Sequence, residues 1–353
     1  MTDVAVPPYG AGPAARPAAL PARPVTYPQL LRGPRWRWWK PVLSLFALIG
    51  IAVALLLVIG GLGELVGRDS GPLGSLDDEL SPASTLVIDL MLASLILAAG
   101  LATWAVHRIR PGYVSSVTGR LRWRWLARCL VVSLPVWVVY LTVSALIAPP
   151  TPGRPAQWGL LLAMALVLTP FQAAGEEYLF RGWLVQNVSG CFRHPMVGLV
   201  VSTVFSAVLF SLAHGSFDPW VVASISTLAV AACYANWRTG GLEAGIALHV
   251  VNNVTVGVLT TTVGGYADAF VTEETTGTVL DAGIGVVVHV IAVALILGQG
   301  RRIGVQRLTV PTGSTGPDPG GPRALAAADE SAFDADGRYR WELDRPTWTA
   351  PLG

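Results

Sequence analysis

The sequence predicts an all-α, polytopic membrane protein with about eight transmembrane helices, and three observations support this fold class. Charged residues make up only 13% of the chain and its mean hydropathy is +0.55, whereas soluble domains carry roughly 25% charged residues. Eight apolar runs are long enough to cross a bilayer as helices. The charge of the connecting loops also alternates along the chain, as the positive-inside rule requires.

The predicted spans are apolar runs that would each cover about 30 Å of hydrocarbon at 1.5 Å per residue. They lie near residues 42–62, 85–106, 129–148, 160–187, 196–213, 218–236, 241–262 and 281–299. The first run has no small-residue cleavage pattern after it, so we expect a retained helix and not a signal peptide.

Loop charge orients these helices. Arginine and lysine precede the first span, fill the even-numbered loops and follow the last span, whereas the first and seventh loops are acidic. Cationic loops stay in the cytoplasm, so we predict a multi-pass protein of the cell membrane with both termini cytoplasmic. Tryptophans that alternate with arginine beside the spans indicate contact with membrane lipid, not with nucleic acid.

Composition divides the chain into three parts. Residues 1–40 are rich in Pro, Ala and Arg and are predicted to form a disordered basic tail. Residues 41–299 form the transmembrane domain, and residues 300–353 are predicted to be a second disordered cytoplasmic tail. The cysteines are widely spaced, which indicates neither a disulfide framework nor a cysteine metal site: Cys129, Cys191 and Cys233.

Three clusters of polar side chains interrupt the apolar runs. They are Glu176, Glu177 and Arg181 in the fourth span, Phe210 and His214 at the end of the fifth, and His249, Asn252 and Asn253 in the seventh. In each cluster two residues lie four apart and share a helix face. A single cluster is explained by an intrahelical ion pair or an interhelical hydrogen bond. Three such clusters together predict a functional site within the membrane.

The clusters share a depth only if the fourth helix continues to about residue 187, which places its glutamates roughly 15 Å below the membrane surface. We therefore predict this long helix, with a kink at Pro170. The remaining polar residues receive structural explanations: His107 and His194 are predicted in solvated loops, His289 is predicted to be packed, and Asp89 is left outside the site.

The carboxylate, histidine and amide side chains of these clusters are suited to hydrolysis of an amide. A carboxylate in a pocket of low dielectric constant deprotonates a water, histidine relays the proton, and an amide or imidazole stabilises the oxyanion. A zinc-bound water is a second version of the same reaction. The chain contains no H-E-x-x-H motif, no G-x-S-x-G motif and no pair of intramembrane aspartates.

The three motifs E-E-x-x-x-R, F-x-x-x-H and H-x-x-x-N, in this order, resemble those of the CPBP family, the CAAX proteases and bacteriocin-processing enzymes also called the Abi family. The likeness covers about residues 120–262. It implies a membrane-embedded peptidase, of intramembrane metalloprotease type, with a helical core around a catalytic cavity.

The resemblance also implies roles for individual residues. Glu176 and His214 would activate the water, and His249 and Asn253 would stabilise the transition state. Glu177, Arg181 and Phe210 would support them. If zinc is bound, its ligands would be Glu176, His214 and His249.

The substrate is expected to be a membrane-associated protein or peptide. The high Ala, Gly, Arg and Trp content indicates a bacterium with GC-rich DNA, in which a prenylated CAAX box is not the expected substrate. Two other functions stay open: a non-catalytic scaffold or bacteriocin-immunity protein that retains the polar cluster, and a proton-coupled transporter. The transporter is disfavoured because no inverted repeat is evident.

Overall fold

The computed structural model describes residues 19–67, 74–76, 78 and 80–309 of the chain. Within these residues the structure is helical and contains no β-strand beyond isolated bridges. The predicted all-α class is therefore confirmed.

The helices are numbered in chain order. They are α1 Lys40–Gly67, α2 Pro82–Ala93, α3 Leu95–His107, α4 Gly112–Ser115, α5 Trp123–Ile147, α6 Trp158–Val167, α7 Thr169–Glu177, α8 Val185–Gly190, α9 Pro195–Leu212, α10 Pro219–Thr239, α11 Glu243–Thr262 and α12 Val279–Ile303. In the described part of the chain, 7 spans are long and apolar enough to cross a membrane, and there are 8 if a bent pair counts as one span. Each matches a predicted run.

The bent pair is the fourth span. Its two parts, Trp158–Val167 and Thr169–Gly190, meet at an angle of 40°. Pro170 lies in the first turn after the break, where a proline fits a helix start but cannot donate to the preceding turn. The second part continues past residue 187 through the π-helical stretch Tyr178–Leu184. The predicted long, kinked helix is thus confirmed.

Helix α11 forms the centre of the bundle. It packs against α5, α6, α7 and α10. Half of its most apolar window is buried inside the protein, compared with 11% for α1 and for α5. The outer helices face lipid, whereas residues on α11 and on the adjoining α7 are shielded by protein on several sides. Polar side chains of these two helices can therefore meet away from lipid.

The ordered part of the chain extends further than predicted at both ends. Tyr27 and Leu30 are almost fully buried, and the Tyr27 hydroxyl donates to the carbonyl of Val114. After α12 the chain pairs with this N-terminal segment, because the amide of Thr309 donates to the carbonyl of Val25 at 3.0 Å. The predicted tails 1–40 and 300–353 were therefore wrong for residues 25–40 and 300–309, where buried apolar side chains hold the segments. Residues 1–18 and 310–353 lie outside the described residues.

Candidate active site

The glutamates of the fourth span lie where α7 comes closest to α2. A Cβ atom on Gly175 would collide with the carbonyl oxygen of Leu92, so only glycine permits this separation of the two helices. Glu176 and Glu177 follow directly, and both are buried. Their carboxylates point to neighbouring helices in a region shielded from lipid.

Glu177 is held by two partners. Its Oε1 atom lies 3.0 Å from Nη1 of Arg181, one turn later, and 3.1 Å from Nδ1 of His249 on α11. The side chains of Glu177 and Arg181 are 0% exposed, so the pair neutralises two charges that would each be costly in this environment. The Arg181 guanidinium also lies 3.8 Å from the centre of the Phe210 ring, a cation–π contact.

The contact with Glu177 determines the tautomer of His249. An ionised carboxylate only accepts hydrogen bonds, so Nδ1 of the imidazole carries the proton that is donated to Glu177. The other ring nitrogen, Nε2, faces Glu176 with 3.9 Å to its Oε2 atom. His249 therefore lies between the two glutamates. Its Nδ1 atom donates to Glu177, and its Nε2 atom faces Glu176.

Glu176 differs from Glu177 in its surroundings. Its Oε1 atom accepts a hydrogen bond from the side-chain amide of Gln172, one turn earlier on α7. Gln172 in turn accepts from the Asn253 amide at 3.2 Å. The carboxylate is thus joined to α11 on both sides, through His249 and through Asn253.

His214 lies at the edge of this group. Its Nδ1 atom is bonded to the carbonyl of Phe210 at 2.8 Å, just beyond the end of α9. The ring centre of Phe210 lies 4.7 Å from that of His214 and 5.6 Å from that of His249. The Phe210 ring therefore contacts both histidines, and among the described residues no hydrogen bond joins His214 to Glu176.

The structure brings together six of the seven residues singled out from the motifs: Glu176, Glu177, Arg181, Phe210, His249 and Asn253. It places the seventh, His214, in edge-to-face contact with the Phe210 ring. Sequence reasoning missed Gln172, although its position four residues before Glu176 puts both on one helix face. It also missed Trp137 of α5, whose indole donates to Asn252 at 3.0 Å.

Asp89 of α2, which was left outside the predicted site, lies beside the helix that carries the two glutamates. Its side chain is buried and accepts a hydrogen bond from Thr169 at 3.1 Å, at the start of the helix that carries Glu176. A Thr side chain at the bend provides the partner that a buried carboxylate requires.

The histidines outside the motifs follow the predictions in part. His194 is exposed and its ring accepts from the amide of Val197 at the start of α9. His289 is packed and bonded to the Gly285 carbonyl, as predicted. The prediction for His107 was wrong, because this residue is only 3% exposed and is 3.0 Å from Asn187. It ends α3 on the inward face, where an amide partner makes burial tolerable.

The described side chains do not fit a metal site. No group of three or more His, Cys, Asp or Glu residues in this part of the chain is arranged to hold a metal ion. Of the expected zinc ligands, Glu176 and His249 lie 3.9 Å apart, whereas His214 forms no hydrogen bond or ion pair with either of them in the described part of the chain. A tetrahedral zinc site with protein ligands at about 2.0 to 2.2 Å needs closer convergence than this, so the chemistry below is derived from the side chains alone.

Comparison with known proteins finds a family model that matches the segment carrying these side chains. Residues 157–255 match the model of the family described as type II CAAX prenyl endopeptidase Rce1-like. All seven motif residues lie inside this segment, whereas Asp89 and Trp137 lie outside it.

One similar relative is the uncharacterized protein YyaK of Bacillus subtilis (strain 168). It is 31% identical over 98 residues, which cover 27% of this chain and 32% of that protein. The match thus spans about a third of the length of that relative. No solved structure matches the chain significantly. The family resemblance predicted from the three motifs is confirmed over residues 157–255, the segment that is similar to the type II CAAX prenyl endopeptidase Rce1-like family.

Proposed function

We propose that this protein is an intramembrane endopeptidase that hydrolyses peptide bonds of a membrane-associated protein or peptide with a water activated by Glu176. The observation that carries the proposal is the difference between the two adjacent glutamates. Glu177 is tied to Arg181 and His249, whereas Glu176 keeps one oxygen turned towards a histidine nitrogen. The family match supports a peptidase, and this geometry supports Glu176 as its base.

Glu176 is the general base of the proposed reaction. Its Oε2 atom removes a proton from water as the oxygen attacks the carbonyl carbon of the substrate. The proton passes from Glu176 through Nε2 of His249 to the leaving amine nitrogen as the C–N bond breaks. The new carboxylic acid then gives the second proton of the water to the amine, so the products are a carboxylate and an ammonium and Glu176 is ionised again. Glu177 acts through His249, because it fixes the imidazole tautomer and orientation.

Two further groups have proposed roles at the reacting carbonyl. Asn253 uses one amide N–H for Gln172 and keeps a second for the oxyanion of the tetrahedral intermediate. His214 has its Nδ1 atom engaged by a backbone carbonyl, which leaves Nε2 for water or substrate. Its half-buried position at the end of α9 supports a role at the entrance, where water joins the reaction.

The substrate reaches this site from the membrane or its surface. Lipid and a membrane-associated peptide or protein are therefore the proposed partners, and the cell membrane, with both termini cytoplasmic, is the proposed location. We propose a substrate other than a prenylated CAAX box, on the composition argument given above.

Single-residue variants of the purified protein in liposomes test the proposal. Glu176→Gln is expected to lower the rate of cleavage of a membrane-peptide library by about 100- to 10,000-fold, the usual contribution of a general base. His214→Ala and His249→Ala are expected to lower it as well. Glu64→Gln is the matched control, because this exposed glutamate of α1 lies outside the site. It is expected to keep the wild-type rate.

Cleavage by Glu176→Gln at the rate of the control would refute Glu176 as the base. A scaffold or immunity function predicts another pattern: the variant would lose cleavage in liposomes and yet complement a deletion strain fully. Complementation therefore separates the proposed peptidase from this alternative.

A further inference from the structure

A chain of four side-chain hydrogen bonds runs from α5 through α11 to Glu176. The Trp137 indole donates to Oδ1 of Asn252 at 3.0 Å, and Nδ2 of Asn252 donates to Oδ1 of Asn253 at 2.9 Å. Nδ2 of Asn253 donates to Oε1 of Gln172 at 3.2 Å, and Nε2 of Gln172 donates to Oε1 of Glu176. Every amide in the chain thus accepts on one side and donates on the other.

The two ends of this chain determine the orientation of every amide between them. A side-chain amide can usually be placed in either of two orientations, because its oxygen and nitrogen have the same shape. Here Trp137 can only donate and an ionised Glu176 can only accept. All three amides must therefore point the same way, with their nitrogens towards Glu176.

We propose that Trp137, Asn252 and Gln172 are positioning residues that commit the Oε1 atom of Glu176 to this chain and leave Oε2 as the atom that receives the proton from water. The inference rests on the proposed function. The position of His249 supports it, because its Nε2 atom faces Oε2 of Glu176 and not Oε1.

Burial holds the first donor of this hydrogen-bond chain in place. Trp137 is only 1% exposed, and the edge-to-face contact of its ring with His289, at 5.4 Å between centres, holds the indole in place. Trp137 and His289 lie on α5 and α12, outside the segment matched by the family model. The chain therefore links the family segment to helices that the family model does not cover.

Two substitutions break the hydrogen-bond chain without adding charge. Trp137→Phe keeps an aromatic ring against His289 but removes the hydrogen bond that orients Asn252. Gln172→Met keeps the length of the side chain but removes two bonds, the one from Asn253 and the one to Glu176. Each variant is expected to lower kcat about five- to tenfold with an unchanged KM.

A third substitution reverses the chain. Asn252→Asp places a carboxylate that accepts from both Trp137 and Asn253, so the Asn253 and Gln172 amides would have to turn round. The oxygen of Gln172 would then face Oε1 of Glu176, which would lose its hydrogen-bond donor. A larger fall in kcat is therefore expected in Asn252→Asp than in Asn252→Leu, which only breaks the chain.

The surrounding charged and titratable groups are the same in all four variants, so differences among Trp137→Phe, Gln172→Met and Asn252→Leu report on the chain. These groups are Asp89 on α2, Glu177 and Arg181 on the same helix as Glu176, His214 beyond α9 and His249 on α11. An additional Asn252→Asp effect includes the new charge, and the double substitution with Trp137→Phe separates the two causes. Without the indole, the amides already lack a fixed direction, so an additional loss of kcat that stays equally large would come from charge alone.

A measurement independent of catalysis completes the test. The indole N–H signal of Trp137 is assigned in nitrogen-labelled protein by its loss in Trp137→Phe. Gln172→Met is expected to shift this signal, because it frees the intervening amides, and to leave the other tryptophan signals in place. An unshifted Trp137 signal, or wild-type kcat in both Trp137→Phe and Gln172→Met, would overturn the proposed hydrogen-bond chain. A shifted signal with full cleavage by Glu176→Gln would instead refute the proposed function.

Discussion

Glu177 and Arg181 show how the cost of charge in a membrane is met at the level of single residues. Both side chains are completely buried and lie one helical turn apart. The three guanidinium nitrogens have no hydrogen-bond partner of good geometry among the described residues, so the ion pair and the Phe210 ring supply the stabilisation. The pair thus orients His249 without leaving a net charge beside it.

Removing one partner of this ion pair should lower the free energy of unfolding more than removing both partners. Arg181→Met alone leaves the Glu177 carboxylate buried and unpaired, and we expect a loss of about 3 to 5 kcal/mol of unfolding free energy. The double variant Glu177→Gln with Arg181→Met should lose much less, because neither charge remains. Denaturant unfolding in detergent micelles measures both values. Equal losses in the single and double variants would show that the ion pair does not compensate the buried charge.

Residues of the site were predictable where spacing carried the signal. Glu177 with Arg181 and His249 with Asn253 stand four apart, and the structure shows them on shared faces. Gln172 gave a weak signal because an uncharged amide is tolerated in an apolar helix. Trp137 was hidden because tryptophan in a membrane protein is so often an interfacial anchor.

At the scale of elements, the position of α7 against α2 sets the depth of the glutamates. Gly175 allows the two backbones to touch, and the break at Leu168 turns the helix towards the bundle. The sequence indicated the kink through Pro170. It did not indicate the contact, because glycine is common in membrane helices and its neighbour on another helix cannot be read from spacing.

A methyl group at Gly175 should force α7 away from α2. Gly175→Ala is expected to destabilise the protein by about 1 to 3 kcal/mol, as overpacking does, and to lower cleavage because Glu176 moves with the helix. Gly159→Ala is the matched control, since a Cβ atom at this position of α6 meets no atom within 4 Å. A similar effect of both substitutions on unfolding and cleavage would contradict the close-contact explanation.

The start of α10 should be sensitive to acid. Backbone N–H groups of Val221, Gly277 and Trp220 donate to Asp218 and lower the pKa of its carboxyl below the ordinary value of 3.8. The ionised cap therefore contributes stability above that value, and the contribution is lost as the pH falls through the lowered pKa. Thermal unfolding of the wild type should show this loss, and Asp218→Asn should reduce it. The same acid dependence in both proteins would exclude Asp218 as its source.

At the scale of the whole molecule, apolar periodicity and loop charge were sufficient for the number and order of the spans. They did not predict the packed segments that precede the first span and follow the last one. The segments around Val25 and Thr309 pair with each other, and Tyr27 donates a hydrogen bond to Val114 of α4. Val25 and Thr309 are 284 positions apart, and no local pattern in a Pro-rich stretch predicts their contact.

The proposed orientation can be tested with cysteine labelling in intact cells. Cys191 is exposed in the loop after the fourth span, and Glu273 is exposed in the seventh loop. A membrane-impermeant maleimide should label a cysteine placed by Glu273→Cys in a Cys191→Ser background. It should label the native Cys191 only after permeabilisation. Mildly alkaline buffer is needed, because burial raises the pKa of the Cys191 thiol. Labelling of Cys191 in intact cells would contradict the proposed orientation and support the opposite one.

Hydrolysis by Glu176 is the central claim, and one measurement tests it most directly. Wild-type protein and Glu176→Gln are incubated in liposomes with membrane proteins from a deletion strain, in water labelled with heavy oxygen, and new carboxyl termini are identified by mass spectrometry. We expect the wild type to generate labelled termini and Glu176→Gln to generate at least about 100-fold fewer. Equal yields from the two proteins, or no labelled termini from the wild type, would contradict the claim.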